Sequence, residues 1–199
     1  FAFKDGMRVS SLVSSLDQFP QGLDQEFGII SREDPLTGLV SAVSFKPSVV
    51  LQNPNSEGDV LLQSRDQVMF FSDRTGRGPQ LDRLLESLAS QARAGEPEKI
   101  VSISGSRLPG RFPLIDGMRI SHLLENGGGL QANYADLDYA LLVREEVDDE
   151  GDIKVLGLNL RAVIGNKEGA DDVMLLPKDQ LLLFSKNENK APRLSDIIG

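Results

Sequence analysis

His122 is the only histidine of the 199-residue chain, and cysteine is absent. Thiolate metal sites, disulfides and thiol nucleophiles are therefore excluded, and a transition metal would find one imidazole without a partner. A serine nucleophile would have a single candidate base, at a position where the first half of the sequence carries Ser11. Gly127-Gly128-Gly129 lacks the Gly-Lys-Ser/Thr continuation of a phosphate loop and follows a helical pattern instead of opening one, so it reads as a helix terminator. Asp148-Asp149-Glu150-Gly151-Asp152 offers calcium-like oxygens without the alternating spacing of an EF-hand loop and reads as a solvated hairpin turn. Asp66 and Asp179, the acids that would tempt a reader toward paired-carboxylate chemistry on sugars, sit in turns beside Gln67 and Gln180, where an Asp bonds the backbone. The expectation is a protein without enzymatic activity, metal or cofactor.

Four arginines are the sharper candidates for binding: Arg8, Arg32, Arg119 and Arg144. Arg8 and Arg119 occupy one position of a duplicated sequence, Arg32 and Arg144 another, while most surface residues differ between the copies. Arg8 and Arg119 lie close to a helix N-terminus, where the dipole disfavours a cation by some tenths of a kcal/mol. One reading pairs these arginines with Asp5/Asp116 or Glu33/Glu145 in structural salt bridges. The other gives them to an anionic glycan or a neighbouring subunit. With no Trp and two Tyr, a high-affinity sugar-stacking platform is not expected. Weak polar contacts remain open to the chain.

The duplication organises everything else. Phe3-Lys4-Asp5-Gly6-Met7-Arg8-Val9-Ser10-Ser11-Leu12 returns as Leu114-Ile115-Asp116-Gly117-Met118-Arg119-Ile120-Ser121-His122-Leu123. Phe27 to Glu33 returns as Tyr139 to Glu145, and Leu61 to Ser72 as Met174 to Ser185. Even Gly78-Pro79-Gln80-Leu81 is echoed by Ala191-Pro192-Arg193-Leu194. A period this long means one domain per copy, since solenoid units run roughly 20–50 residues. The expected division is a first repeat over 1–73, N-terminally truncated, a connecting helical segment over 74–98, a second repeat over 99–185, and the start of a following helical linker over 186–199. Because the phase begins inside one repeat, the chain reads as a piece of a longer protein.

Composition bounds the partners. The net charge of −9 is shared by both halves, and no basic arm or stripe is present, so nucleic acid is not an expected partner. No run of about 18 apolar residues occurs, so nothing here reads as a membrane span. Each half is large enough to bury a core of its own.

The elements follow from periodicity. Val9, Leu12, Val13 and Leu16 fall at helical spacing, as do Ile120, Leu123 and Leu124. Phe27–Ser31 and Tyr139–Val143 are strand-length apolar runs; Leu39–Phe45 and Ile153–Leu158 return as hairpin partners, and Val68–Phe71 and Leu181–Phe184 close each copy. The second copy has a leading hairpin, Ile100–Ser104 and Arg111–Leu114. Leu81, Leu84, Leu85 and Leu88 stripe a longer helix starting near Gln80 and running toward Ala94, with Gly95 and Pro97 beyond. The segments 52–59 and 165–172 read as polar, flexible loops. The order strand-strand-helix-strand-strand-loop-strand describes an α+β fold, two tandem β-grasp (ubiquitin-like) domains joined by a packed helix.

Ser102-Ile103-Ser104-Gly105, Leu108-Pro109-Gly110-Arg111-Phe112-Pro113-Leu114, Asp116-Gly117-Met118-Arg119-Ile120-Ser121-His122-Leu123-Leu124 and Gly127-Gly128-Gly129-Leu130 together resemble the SLBB family of soluble-ligand-binding β-grasp domains. Tyr139–Arg144 and the Pro177-Lys178-Asp179-Gln180 turn fall where that family places them. Tandem copies joined by a helix look like the periplasmic part of bacterial outer-membrane polysaccharide exporters, which handle capsule and exopolysaccharide. The resemblance implies a non-enzymatic module of the conduit or its assembly interface, located in the periplasm or cell envelope and tied to the outer membrane through other parts of the protein. Its partners would be the polysaccharide and other subunits, in a homo-oligomeric ring for the whole protein and as a mainly monomeric fragment here. The family also includes small-ligand and cofactor-binding modules, the alternative reading.

Overall fold

The computed structural model describes residues 3–13, 22–74, 77–93, 95–130, 134–145 and 153–190. It is an α+β structure with two sheets. The first half opens with a 3-10 turn, Val9–Ser11, followed by β1 (Leu23–Glu33), β2 (Val40–Phe45), α1 (Pro47–Gln52) and β3 (Gln67–Ser72). The sheet order is β2-β1-β3, antiparallel throughout. After α2 (Gly78–Ser90), the second half runs β4 (Ile100–Ser104), β5 (Gly110–Pro113), α3 (Ile120–Asn126), β6 (Ala135–Glu145), β7 (Ile153–Leu158), α4 (Leu160–Gly165) and β8 (Gln180–Ser185). Its five strands lie in the order β5-β4-β8-β6-β7, with β4 and β8 parallel.

The duplication read from the sequence recurs in the packing. Val9, Ile30, Phe45, Val50 and Leu62 form a buried cluster in the first half. Their counterparts Ile120, Leu142, Leu158, Val163 and Leu175 are buried together in the second. Even the irregularities match: β1 shifts register against β3 between Leu23 and Gly28, and β6 against β8 between Ala135 and Ala140. One cross-strand pair exchanges volume between the copies. Gly28 faces Phe45 where Ala140 faces Leu158, and a Cβ on Gly28 would come within 2.3 Å of the Phe45 ring.

Helix α2 is where the halves join. Pro79 opens it and Leu81, Leu84, Leu85 and Leu88 are buried along one face. These leucines share a single cluster with Phe27, Ile29 and Phe71 of the first sheet and with Val101 and Phe112 of the second. The leucine stripe faces both sheets, so among the described residues one buried cluster runs through both halves and the Val9–Leu62 cluster stands apart. Phe27 meets Phe112 edge-on at 5.8 Å, and the buried Arg77 guanidinium lies 4.1 Å over the Phe27 ring while pairing with Asp24. At the far end of α2 the Gln91 side-chain amide donates to the Val40 carbonyl (3.0 Å) and accepts from the Val40 N–H. The helix is tied to the edge strand β2 as a neighbouring strand would be.

Two further expectations change. Among the described residues the helical segment of the first copy is the 3-10 turn Val9–Ser11; Leu16 lies outside the described residues, as do the 147–152 turn and the 191–199 tail. Helix α2 ends at Ser90, short of Ala94. Two six-residue helices, α1 and α4, precede the segments read as loops. Pro47 at the first turn of α1 and the Asn159 side chain accepting from the Arg161 and Ala162 N–H groups of α4 account for where they start. The triple glycine does end α3: Gly128 and Gly129 take positive φ, and the Gly129 N–H returns to the Leu124 carbonyl at 2.9 Å.

Candidate functional site

Two charged networks are built twice. In the first half Arg32 lies on β1, and its guanidinium forks onto Asp66, Nε to Oδ1 at 3.0 Å and Nη2 to Oδ2 at 2.7 Å. Asp66 also accepts from the Gln63 N–H at 2.8 Å, and Arg32 Nη2 reaches the Leu61 carbonyl at 2.9 Å. In the second half Arg144 forks onto Asp179 at 2.9 and 2.7 Å, Asp179 accepts from the Leu176 N–H at 2.8 Å, and Arg144 Nη2 reaches the Met174 carbonyl at 3.0 Å. Both carboxylates are buried, and the arginines are largely so. A planar fork on a buried carboxylate is a strong, oriented contact, and here it locks the turn that delivers the closing strand. Glu33 and Glu145, once candidates for these arginines, pair instead with Arg65 and Lys178.

The second network centres on acids that the sequence reading passed over. Asp59 is fully buried and accepts from the Ser10 N–H (3.0 Å), the Ser10 hydroxyl (2.6 Å) and the Asn55 N–H (2.8 Å). Asp172 repeats this with the Ser121 N–H (2.8 Å), the Ser121 hydroxyl (2.7 Å) and the Glu168 N–H (3.0 Å). Burial acts to raise both carboxyl pKa values, but these donors outweigh it and hold both below the usual carboxylate range. Arg8 and Arg119 donate through Nη1 to the backbone carbonyls of Asp59 and Asp172, not to the side chains of Asp5 or Asp116. The segments 52–59 and 165–172 are therefore pinned to the start of each helical turn, which corrects their reading as flexible loops. His122 has a structural contact too: its Nδ1 accepts from the Arg119 N–H at 3.1 Å, as Ser11 Oγ accepts from Arg8. All four candidate arginines thus point at least one side-chain donor into the protein's own backbone or carboxylates.

A concave surface lies between the halves. It has a volume of about 380 Å³ and is lined by Glu26, Lys46, Glu57, Asp116, His122 and Glu125 over an apolar floor that includes Phe27 and Met118. Lys46, from the first half, contacts Glu125 of the second at 2.9 Å, and Lys167 holds the other Glu125 oxygen at 2.5 Å. Burial acts to raise the Glu125 pKa; the two lysines outweigh it and keep the carboxylate ionised below its ordinary range. The cleft combines an acidic rim with one imidazole and offers no group of three or more metal-ligating side chains among the described residues. No described helix is long and apolar enough to cross a membrane. Against known proteins, the sequence matches no family model and no curated protein.

Proposed function

We propose that the chain is a tandem of two β-grasp domains of the SLBB kind, and that it serves as a non-enzymatic periplasmic module of a polysaccharide export protein, contributing to the conduit or its assembly interface. The observation that carries this reading is the second sheet: strand order β5-β4-β8-β6-β7, with β4 and β8 parallel and α3 packed into the core beneath. That is the order a β-grasp requires, and the first half repeats its last three strands. The two halves are fused through α2 into one packed unit, as suits a structural segment. Polymer contacts in this reading are weak and polar, drawn from the acidic cleft and the loops.

The rival, a module that encloses a small ligand or cofactor, calls for a closed apolar cavity. A concavity of about 630 Å³ lies open along the β3 side of the first sheet. The test is genetic and chemical. Deleting the gene in its host should remove surface polysaccharide while lipid-linked precursor still accumulates in the cell, and the periplasmic fraction should contain the protein. Unchanged surface polysaccharide would refute the export role. The isolated chain should sediment mainly as a monomer at physiological salt, because its net charge of −9 opposes self-association; a stable ring-sized species would show that these domains drive assembly unaided.

A further inference from the structure

A concavity of about 460 Å³ lies between α2 and the first sheet. Two elements supply its polar side chains. Ser31 of β1 and Gln67 of β3 are cross-strand partners, so they stand side by side on one face of the sheet. Gln80, Arg83 and Ser87 fall at i, i+3 and i+7 of α2 and share one helical face above them. Val40, Met69 and Leu84 add an apolar lining.

Most of these polar groups are uncommitted. Arg65 Nη1 is held by Glu33 at 2.6 Å, and the Ser87 hydroxyl donates to the Arg83 carbonyl at 2.9 Å. The side chains of Ser31, Gln67, Gln80 and Arg83 make no hydrogen bond or ion pair among the described residues. They present a hydroxyl, two carboxamides and a guanidinium fork, which suit the hydroxyls of a polyol and a carboxylate. The charge agrees. Two arginines stand against one glutamate here, in a chain of net charge −9. The cleft between the halves sets four carboxylates against one lysine. An anion is therefore drawn to the α2 concavity and repelled by the cleft. The second half supplies the contrast. Its concavity of about 320 Å³ keeps Glu145, Lys178 and Gln180 at the positions of Glu33, Arg65 and Gln67. Val143 replaces Ser31, however, and Arg111 is paired with Glu98 at 3.4 Å, so the charges lining that concavity balance.

We propose that the concavity between α2 and the first sheet binds a carboxylated polyol, a sugar acid. Arg83 takes the carboxylate, and Ser31, Gln67 and Gln80 take the hydroxyls. The C–H face of the ring rests on Val40, Met69 and Leu84. No aromatic ring lines the site, so binding depends on hydrogen bonds and charge and is weak, about millimolar. A free sugar acid and an acidic unit within a polymer present the same chemistry. The site rests on these side chains and does not require an export role, so failure of either leaves the other standing.

The experiment titrates the full chain with glucuronate and follows the backbone amides by NMR. Saturable shifts should gather at Ser31, Gln67, Gln80 and Arg83 and leave Ser102 and Gln180 in place. Glucose, which lacks the carboxylate, and acetate, which lacks the hydroxyls, should each bind about tenfold more weakly or worse. Arg83 is exposed, so Arg83→Gln should keep the folded spectrum and weaken glucuronate by a similar factor. Arg111→Gln, in the counterpart concavity, should bind as the parent chain does. No saturable shift at concentrations well above millimolar overturns the proposal. So does an equal response to glucose or to acetate, or an unchanged response in Arg83→Gln. An oligomer of glucuronate that binds more tightly than the monomer, with the same dependence on Arg83, supports the site and makes its ligand a polymer unit. Equal affinity per molecule supports the site and makes its ligand a free sugar acid.

Discussion

The first and second halves agree in their interior and differ at their margins. Five core positions, one buried carboxylate hub and one register shift are the same in both. Among the described residues the first half has three strands and a 3-10 turn where the second has five strands and a two-turn helix. The shared parts are those that define how each closing strand and each pinned loop return to the start of the copy. Asp59 and Asp172 do this by gathering three donors each, and such a hub tolerates no neutral substitute of different shape. The parts that differ among the described residues are strand number and sheet edges.

The largest test removes the hubs. Asp59→Ala and Asp172→Ala each leave three donors unsatisfied at a buried point, at a cost of about 3–5 kcal/mol. Their consequences should differ. Asp59 anchors the small cluster that stands apart, so Asp59→Ala should produce a separate early transition in urea. Asp172 anchors the core that runs through both halves, so Asp172→Ala should lower a single transition. Identical single transitions for both variants would mean that the Val9–Leu62 cluster is not an independent unit. The acid limb gives a second readout. Both carboxyl pKa values are depressed on folding from an unfolded value of about 3.9, so their contribution is complete above about pH 5 and is lost as pH falls through the lower folded values. Asp→Asn variants should flatten the fall in stability below about pH 4.

Next in size is the seam. Leu81 is fully buried where α2 faces the sheets, and Leu81→Ala should cost about 2–5 kcal/mol. Because the leucines serve both sheets, exchange should rise in β1 and in β4 together. A rise confined to one half would separate the two cores that the structure joins.

That seam was half legible in the sequence. Four leucines at helical spacing announced a packed helix, but not that two sheets would share it, because periodicity reports a buried face without naming its partners. The strands were legible as apolar runs. Helices α1 and α4 were not, since six residues give barely one and a half turns of pattern. The arginine partners were misread for a geometric reason. Glu33 and Glu145 are chain neighbours of Arg32 and Arg144, but successive strand residues point to opposite faces, so each guanidinium reaches an acid in the turn before the closing strand instead. Asp59 and Asp172 lay two residues outside the third repeated block. Extending that block by two positions would have found them.

A moderate effect sharpens the volume exchange. Gly28→Ala should force the Phe45 ring aside and destabilise by about 1–3 kcal/mol. Adding Phe45→Leu recreates the Ala140–Leu158 pair of the other half and should recover most of the loss in a denaturation midpoint. Failure of the double variant to recover would mean that the copies differ in backbone, not only in side-chain volume.

The smallest effect concerns the contact that crosses the cleft. Glu125 is held by Lys46 from the first half and Lys167 from the second, and its pKa lies below the usual range. Its contribution is therefore present above the unfolded value near pH 4 and disappears as pH falls through the folded one. Both lysines are more than a third exposed, so solvent screens them and the loss in Glu125→Gln should be about 1 kcal/mol or less. The discriminating readout is salt. Raising ionic strength from about 0.05 to 0.5 M should weaken the parent chain slightly and leave Glu125→Gln nearly unaffected. Lys46→Met alone should then reproduce most of the variant's behaviour if the contact between halves is what matters. If Lys167→Met does so instead, the bridge belongs to the second half by itself, and α2 with its aromatic seam is left as the element that fixes how the two halves meet.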